Sequence, residues 1–164
     1  MTVTMLLFLA LGLVLQGVGC TPAPGPDELD ELGAVNLKIK EQPFHLWIAD
    51  SFVEQTQGLM HVTAERMAPL SDGTERGMIF VFDHERELSF WMKNTIIPLD
   101  VAYVDTTGKV VKIYTMAPLD DRPGQYPSIK PARFAIEVNA GVFKRVGLKE
   151  GDVLSISPDV LKRR

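Results

Sequence analysis

The sequence predicts a single α+β domain dominated by short strands, barrel-like or two-layered, with about eight strands and two or three short helices. Three observations lead there. Beyond residue 34 the apolar residues recur mostly at a period of two, the mark of half-buried strands. The run Met78–Phe82 is apolar at every position, as in a central strand buried on both faces. Residues 35–164 make one domain of ordinary size, with no internal repeat.

The elements follow in order. Val35, Leu37 and Ile39 alternate with Asn36, Lys38 and Lys40, which reads as a half-buried strand. Phe44 to Ala49 reads as a second. Ser51, with Glu54 three residues on, forms a capping box, so a short helix starts at Phe52 and ends near Gly58. After the buried Met78–Phe82 strand, Leu88–Lys93 and Leu99–Asp105 are expected to pair, with Pro98 at the start of the second. Thr106-Thr107-Gly108-Lys109 is a hairpin turn, and Val110–Tyr114 returns from it. Pro118–Pro131, with four prolines, is a long loop; loops of this length are uncommon and often functional. Arg133–Val138 is a further strand. Ala140–Val146 is a short helix stopped by Gly147. Gly151 turns the chain into a last strand, Val153–Ser157.

The N-terminus carries a targeting signal. Met5–Leu15 is an unbroken apolar run, too short to span a membrane, which takes about 20 residues, but apt for the core of a secretory signal. Gly17, Val18 and Gly19 then precede Cys20, the only cysteine, and a small residue before a cysteine is how a bacterial lipoprotein signal ends. Gly17 where leucine is usual, and the lack of Lys or Arg before the run, depart from that pattern. Residues 1–19 are therefore read as signal and Cys20 as the lipidated first residue of the mature chain. Residues 20–33 are read as a disordered Pro-rich, acidic tether, and 34–164 as the folded domain. The simpler alternative is a secreted protein with an idle thiol. With one cysteine, no disulfide framework exists within the chain. The net charge of −4 belongs to Asp27, Glu28, Asp30 and Glu31 of the tether; the remainder has 17 residues of each sign. A neutral domain argues against a nucleic-acid partner, and the basic Lys162-Arg163-Arg164 tail reads as a solvated terminus.

The chemistry-bearing residues gather around Phe90–Asp100. By strand parity Phe90 and Met92 share one face, while Ser89, Trp91 and Lys93 share the other. If the first pair fills the core, an apolar plate and a cation lie side by side, fit to bind a sugar ring or an anion. The bland alternative packs Trp91 under the long loop with the Lys93 stem over it. Asn94 and Thr95 suit a turn. Asp100 is expected to pair with Lys93 across the hairpin, as a fold device or as part of a site. Arg133 and Glu137 fall opposite Phe134, Ile136 and Val138. Apolar neighbours at Glu137 would raise its pKa and make it a possible general acid; an ion pair with Arg133 or Lys93 is the alternative. His45, His61 and His84 show no ligand spacing, so no metal is expected, and no cofactor motif, P-loop or nucleophile elbow is present. Asp83, His84, Glu85 and Glu87 read as a solvated turn, with a calcium site as the remote alternative.

Taken together, Gly58-Leu59-Met60, Gly77-Met78-Ile79-Phe80-Val81-Phe82, Phe90-Trp91-Met92-Lys93-Asn94-Thr95 with Pro98-Leu99-Asp100, Glu137-Val138-Asn139-Ala140-Gly141 and Gly147-Leu148-Lys149-Glu150-Gly151-Asp152 resemble the DUF192 (UPF0127) family of bacterial and archaeal proteins. The resemblance runs from about Leu37 to Ile156. It implies a compact β-rich fold and frequent export, carries no established activity, and marks Gly58, Met60, Trp91, Lys93, Asn94, Pro98, Asp100 and Glu137 as motif positions. Where the family usually follows Gly-Leu-Met with an aromatic residue and an arginine, this chain has His61 and Val62.

The leading functional expectation is an envelope-anchored lipoprotein that binds a small molecule or glycan in a groove lined by Trp91, Lys93, Asn94, Asp100 and Glu137. Its partners are then the membrane, through lipid on Cys20, and that ligand. One alternative is a hydrolase or lyase acting on a carbohydrate or cell-wall fragment through Glu137 and Asp100, which requires carboxyls about 5–9 Å apart across a cleft. Another is a purely structural envelope protein.

Overall fold

The computed structural model describes residues 26–163; the signal sequence and Cys20 lie outside the described residues. The chain forms strands β1 (Ala34–Ile39) and β2 (Gln42–Ala49), helix α1 (Phe52–Gln57), β3 (Glu75–Arg86), β4 (Ser89–Phe90), β5 (Leu99–Val104), β6 (Val110–Met116), β7 (Tyr126–Pro127), β8 (Ala132–Asn139), α2 (Val142–Val146) and α3 (Pro158–Leu161). Six strands make one sheet in the order β1-β2-β3-β8-β5-β6, and β4 and β7 form a separate two-stranded ribbon. Only β2 and β3 run parallel, and the parallel pair needs the crossover that α1 and the loop after it supply. The sheet is open. The fold is therefore α+β and β-dominated as predicted, with the two-layer packing rather than a closed barrel.

Both faces of the sheet centre are buried. Trp47, Met78, Phe80, Val101 and Tyr103 project into one core, closed by Leu59, Val62, Met67 and Met92. Leu46, Ile48, Ile79, Ala102 and Ile136 project into the other, closed by Phe143, Leu148, Leu154 and Val160 from the C-terminal helices and loops. This is why β3, β5 and β8 read as apolar runs while edge strand β1 alternates. The capping box forms as expected: Ser51 Oγ accepts from the Glu54 amide at 3.2 Å, and Glu54 Oε2 accepts from the Ser51 amide at 2.8 Å.

Four expectations are corrected. Leu88–Lys93 does not pair with the strand beginning at Leu99. Both edges of β5 are taken by β6 and β8, so only Ser89–Phe90 remains strand, and its partner is β7 inside the long loop. The last strand is reduced to one bridge, Val153 to Lys109; the chain then enters α3, whose start is set by Ser157 and Pro158. The tether is ordered before Gly33. Residues Pro26–Glu31 form a 3-10 turn, Leu29 is buried in the first core, Asp30 pairs with Arg66, and Gly33 accepts from the Ile48 amide at 2.7 Å. Nor is the basic tail free, since Arg163 reaches Asp50 at 2.6 Å. No described helix is long and apolar enough to cross a membrane.

Candidate functional site

The segment after β3 keeps its predicted parity. Met92 is fully buried and Phe90 points inward, edge-on to Phe80 at 4.8 Å and to Tyr103 at 5.5 Å between ring centroids. Ser89, Trp91 and Lys93 face out. The long loop holds this segment in place. The Ser128 amide donates to Leu88 O at 2.8 Å, the Met92 amide to Asp120 O at 2.7 Å, and the Leu119 amide to Thr95 O at 2.9 Å. Asn94 forms the turn at φ +56°. Its carbonyl accepts from the His61 amide at 2.9 Å, which ties the segment to the Gly58-Leu59-Met60 stretch across the way.

Between these two stretches lies a groove of about 230 Å³. One wall is α1 and the turn after it, with Phe52, Gln55 and Gly58; the other is Ser89, Phe90, Trp91, Lys93 and Thr95; Phe80, Phe82 and Glu137 are the floor, and Arg86 also lines the groove. Gly58 has φ +49°, and a Cβ there would lie 3.2 Å from Phe80 Cζ, so a side chain would be strained and would crowd the floor. Five family-motif positions, Gly58, Met60, Trp91, Lys93 and Glu137, thus border one cavity.

Register explains the carboxyl on the floor. Glu137 pairs with Met78 on one side and Val101 on the other, so it shares their face, inside the apolar core. It is 4 % exposed, and no side chain or amide among the described residues hydrogen-bonds its carboxyl. Burial alone pushes its pKa up to about 8, because a charge there would lose water without gaining a partner. Gly77 makes this packing possible, since a Cβ there would meet Glu137 O at 2.2 Å. Nearby, Tyr103 donates to Tyr126 O at 2.6 Å; burial and then the Glu137 charge push its phenol well above the usual tyrosine range.

Lys93 and Asp100 do not meet as expected. Asp100 pairs in register with Val138, one residue beyond Glu137, and therefore faces the opposite core. There it accepts from Thr115 Oγ1 at 2.6 Å and from the Phe143 amide at 3.1 Å. Helix α2 begins at Gly141, which has no side chain to cap it, so Asp100 supplies the missing acceptor. Glu137 and Asp100 therefore cannot flank one bond as an acid–base pair. Arg133 is likewise spent elsewhere, donating to Phe82 O at 3.2 Å and Leu161 O at 2.9 Å. Lys93 makes no ion pair among the described residues; its Nζ lies 5.1 Å from the Trp91 ring centroid. Trp91 remains 39 % exposed. Asn94 is a turn residue beside the groove, with Nδ2 4.0 Å from Met60 Sδ.

Sequence reasoning missed Phe52, which is 83 % exposed at the groove mouth. The available signal was an aromatic residue directly after the Ser51 helix cap. At the family departure, Val62 is core and His61 is an exposed residue at φ +62°, so no arginine enters the groove from there. Among the described residues no three His, Cys, Asp or Glu side chains group as metal ligands.

Residues 35–156 match the family DUF192, described as an uncharacterized ACR. No curated protein matches the chain. Two crystal structures are similar at 30 % identity. One is a protein of unknown function from Novosphingobium aromaticivorans, with a TM-score of 0.61 over 76 % of this chain and 85 % of that one. The other is a protein from Sinorhizobium meliloti described as a "putative transcription regulator", with a TM-score of 0.63 over 74 % of this chain and 91 % of that one. With five of the eight motif positions bordering one groove and the match spanning nearly the whole folded region, the chain belongs to the DUF192 family.

Proposed function

We propose that this protein is a binding module of the cell envelope that holds a small hydroxylated ring, of the carbohydrate class, in the groove beneath Trp91. The observation that carries this reading is the carboxyl of Glu137, nearly buried, without a hydrogen-bonding protein group among the described residues and open only onto the floor of an aromatic-walled cavity. A buried polar group without a partner is costly unless something supplies one. Near neutral pH this carboxyl is mostly protonated and both donates and accepts, as a hydroxyl requires. Trp91 and Phe52 offer exposed aromatic faces on which the C–H side of a sugar ring packs. A paired-carboxylate hydrolase gains no support, because Glu137 and Asp100 face opposite sides of the sheet.

Fluorescence or calorimetric titration with a panel of hexoses and disaccharides tests the reading. Binding should be lost in Trp91→Ala with the melting temperature nearly unchanged. A panel in which no saccharide binds the wild type overturns it. The envelope location rests on Met5–Leu15 and the Gly19-Cys20 junction. Under this reading Cys20→Ala releases the protein from membranes on fractionation, and a free Cys20 thiol in the mature wild type would reject the anchor.

A further inference from the structure

The charge of the groove selects among ring ligands. Lys93 and Arg86 are its cations, and Glu137 is the one acid among the lining residues. Each cation lies over an aromatic ring of the same cavity, Lys93 Nζ at 5.1 Å from the Trp91 centroid and the Arg86 guanidinium at 5.0 Å from that of Phe82. Arg86 is also 3.2 Å from Asp83, whereas Lys93 pairs with no carboxylate among the described residues. Its ammonium thus lies over the Trp91 ring at the groove, with no carboxylate partner among the described residues. A cavity of about 230 Å³ is below the usual range for drug-sized ligands, roughly 300–1,000 Å³, and suits one ring rather than a chain.

Resting on the binding reading above, we infer that the ligand is a single hydroxylated ring bearing one anionic group, a sugar acid or a sugar phosphate. Lys93 pairs with the anion, Trp91 packs against the ring, and Glu137 hydrogen-bonds a hydroxyl. The floor does not repel such a ligand near neutral pH, because burial keeps the Glu137 carboxyl mostly protonated there. A neutral sugar would leave the Lys93 charge unused, and a bare anion would leave Trp91 and Glu137 uncovered.

The test is titration of the full chain at pH 6.5 with hexoses, the matching uronic acids, the matching hexose 6-phosphates, and inorganic phosphate. One charged series should bind about tenfold tighter than the neutral hexoses, as a hydrogen bond to a charged group provides. Lys93→Gln should erase that preference while keeping the weaker neutral binding, and Lys93→Arg should retain it. Whichever charged series wins identifies the anion as carboxylate or phosphate. If neutral hexoses bind as tightly as both charged series, the inference falls and the binding reading stands. If inorganic phosphate binds as tightly as the hexose phosphates, the site reads an anion without a ring and the inference falls. If no saccharide of any charge binds, both fall.

Discussion

At the scale of single residues, two carboxyls one register step apart have opposite roles. Glu137 faces an apolar core, where burial keeps it protonated up to near neutral pH; Asp100 faces the other core, where a hydroxyl and the first turn of α2 hydrogen-bond it. For Glu137 the sign of the pH effect follows from its raised pKa. Between an ordinary glutamate value near 4.5 and about 8, the unfolded chain is ionised and the folded one still holds its proton. Stability therefore falls as pH rises through that window, by a total on the order of a few kcal/mol. Glu137→Gln should flatten this slope and leave the variant more stable than wild type at pH 8 in urea titrations; an equal slope in both proteins would contradict the buried, unpartnered placement. Asp100→Ala should instead cost about 1–3 kcal/mol, since it strands the buried Phe143 amide, the exposed Thr115 hydroxyl turning to water, while ligand affinity in the saccharide titration stays within a factor of two or so.

At the scale of elements, the groove wall depends on the long loop, through one short strand pair and single backbone bonds, rather than on the main sheet. Beyond the two-residue pairing of Ser89–Phe90 with Tyr126–Pro127 and the His61 amide on Asn94 O, residues 88–95 take their backbone partners from Asp120, Leu119 and Ser128 of the loop. That loop is braced by Tyr126, whose hydroxyl donates to Asp120 Oδ2 at 2.9 Å and accepts from the Ala117 amide at 3.1 Å. Arg122 grips the same carboxylate with two bonds of 2.7 Å, and holds its pKa well below the usual carboxylate range. Tyr126→Phe should lower stability by only about 1–2 kcal/mol, yet speed hydrogen exchange at the amides of Met92 and Leu119 and weaken ligand binding. Unchanged protection there would mean that the loop needs no tyrosine brace. The Gly58 turn on the facing wall needs no such support, because its geometry is set locally by the capped helix before it.

For the whole molecule, the folded unit starts earlier than composition indicates. Leu29 plugs the first core, Asp30 reaches Arg66, and Gly33 pairs with Ile48. Removing residues 1–25 should leave stability unchanged. Removing 1–33 should cost about 2–3 kcal/mol, chiefly the burial of one leucine, and lower the melting temperature by several degrees for a domain of this size. Equal melting temperatures for the two truncations would show that the 3-10 turn adds nothing. The acidic composition concealed this: Asp27, Glu28, Asp30 and Glu31 read as a solvated run, and two leucines, Leu29 and Leu32, are too few to establish a period.

The sequence by itself determined the local features: strand faces, the capping box at Ser51, the turn at Asn94, the inward Phe90 and Met92 against the outward Trp91 and Lys93. Each is set by neighbours within a few residues, through side-chain alternation, caps and steric limits on φ and ψ. It also supported the family reading, because the motif residues lie close together in short blocks. Only the tertiary structure decided which strand lies beside which. That choice placed Glu137 on the groove floor and Asp100 on the far face, and gave the edges of β5 to β6 and β8 rather than to Leu88–Lys93. It also brought Phe52 and Gly58 opposite Trp91. Pairing is non-local: several apolar strands compete for the same edges on nearly equal local terms, and the outcome depends on burying both faces of the whole sheet at once.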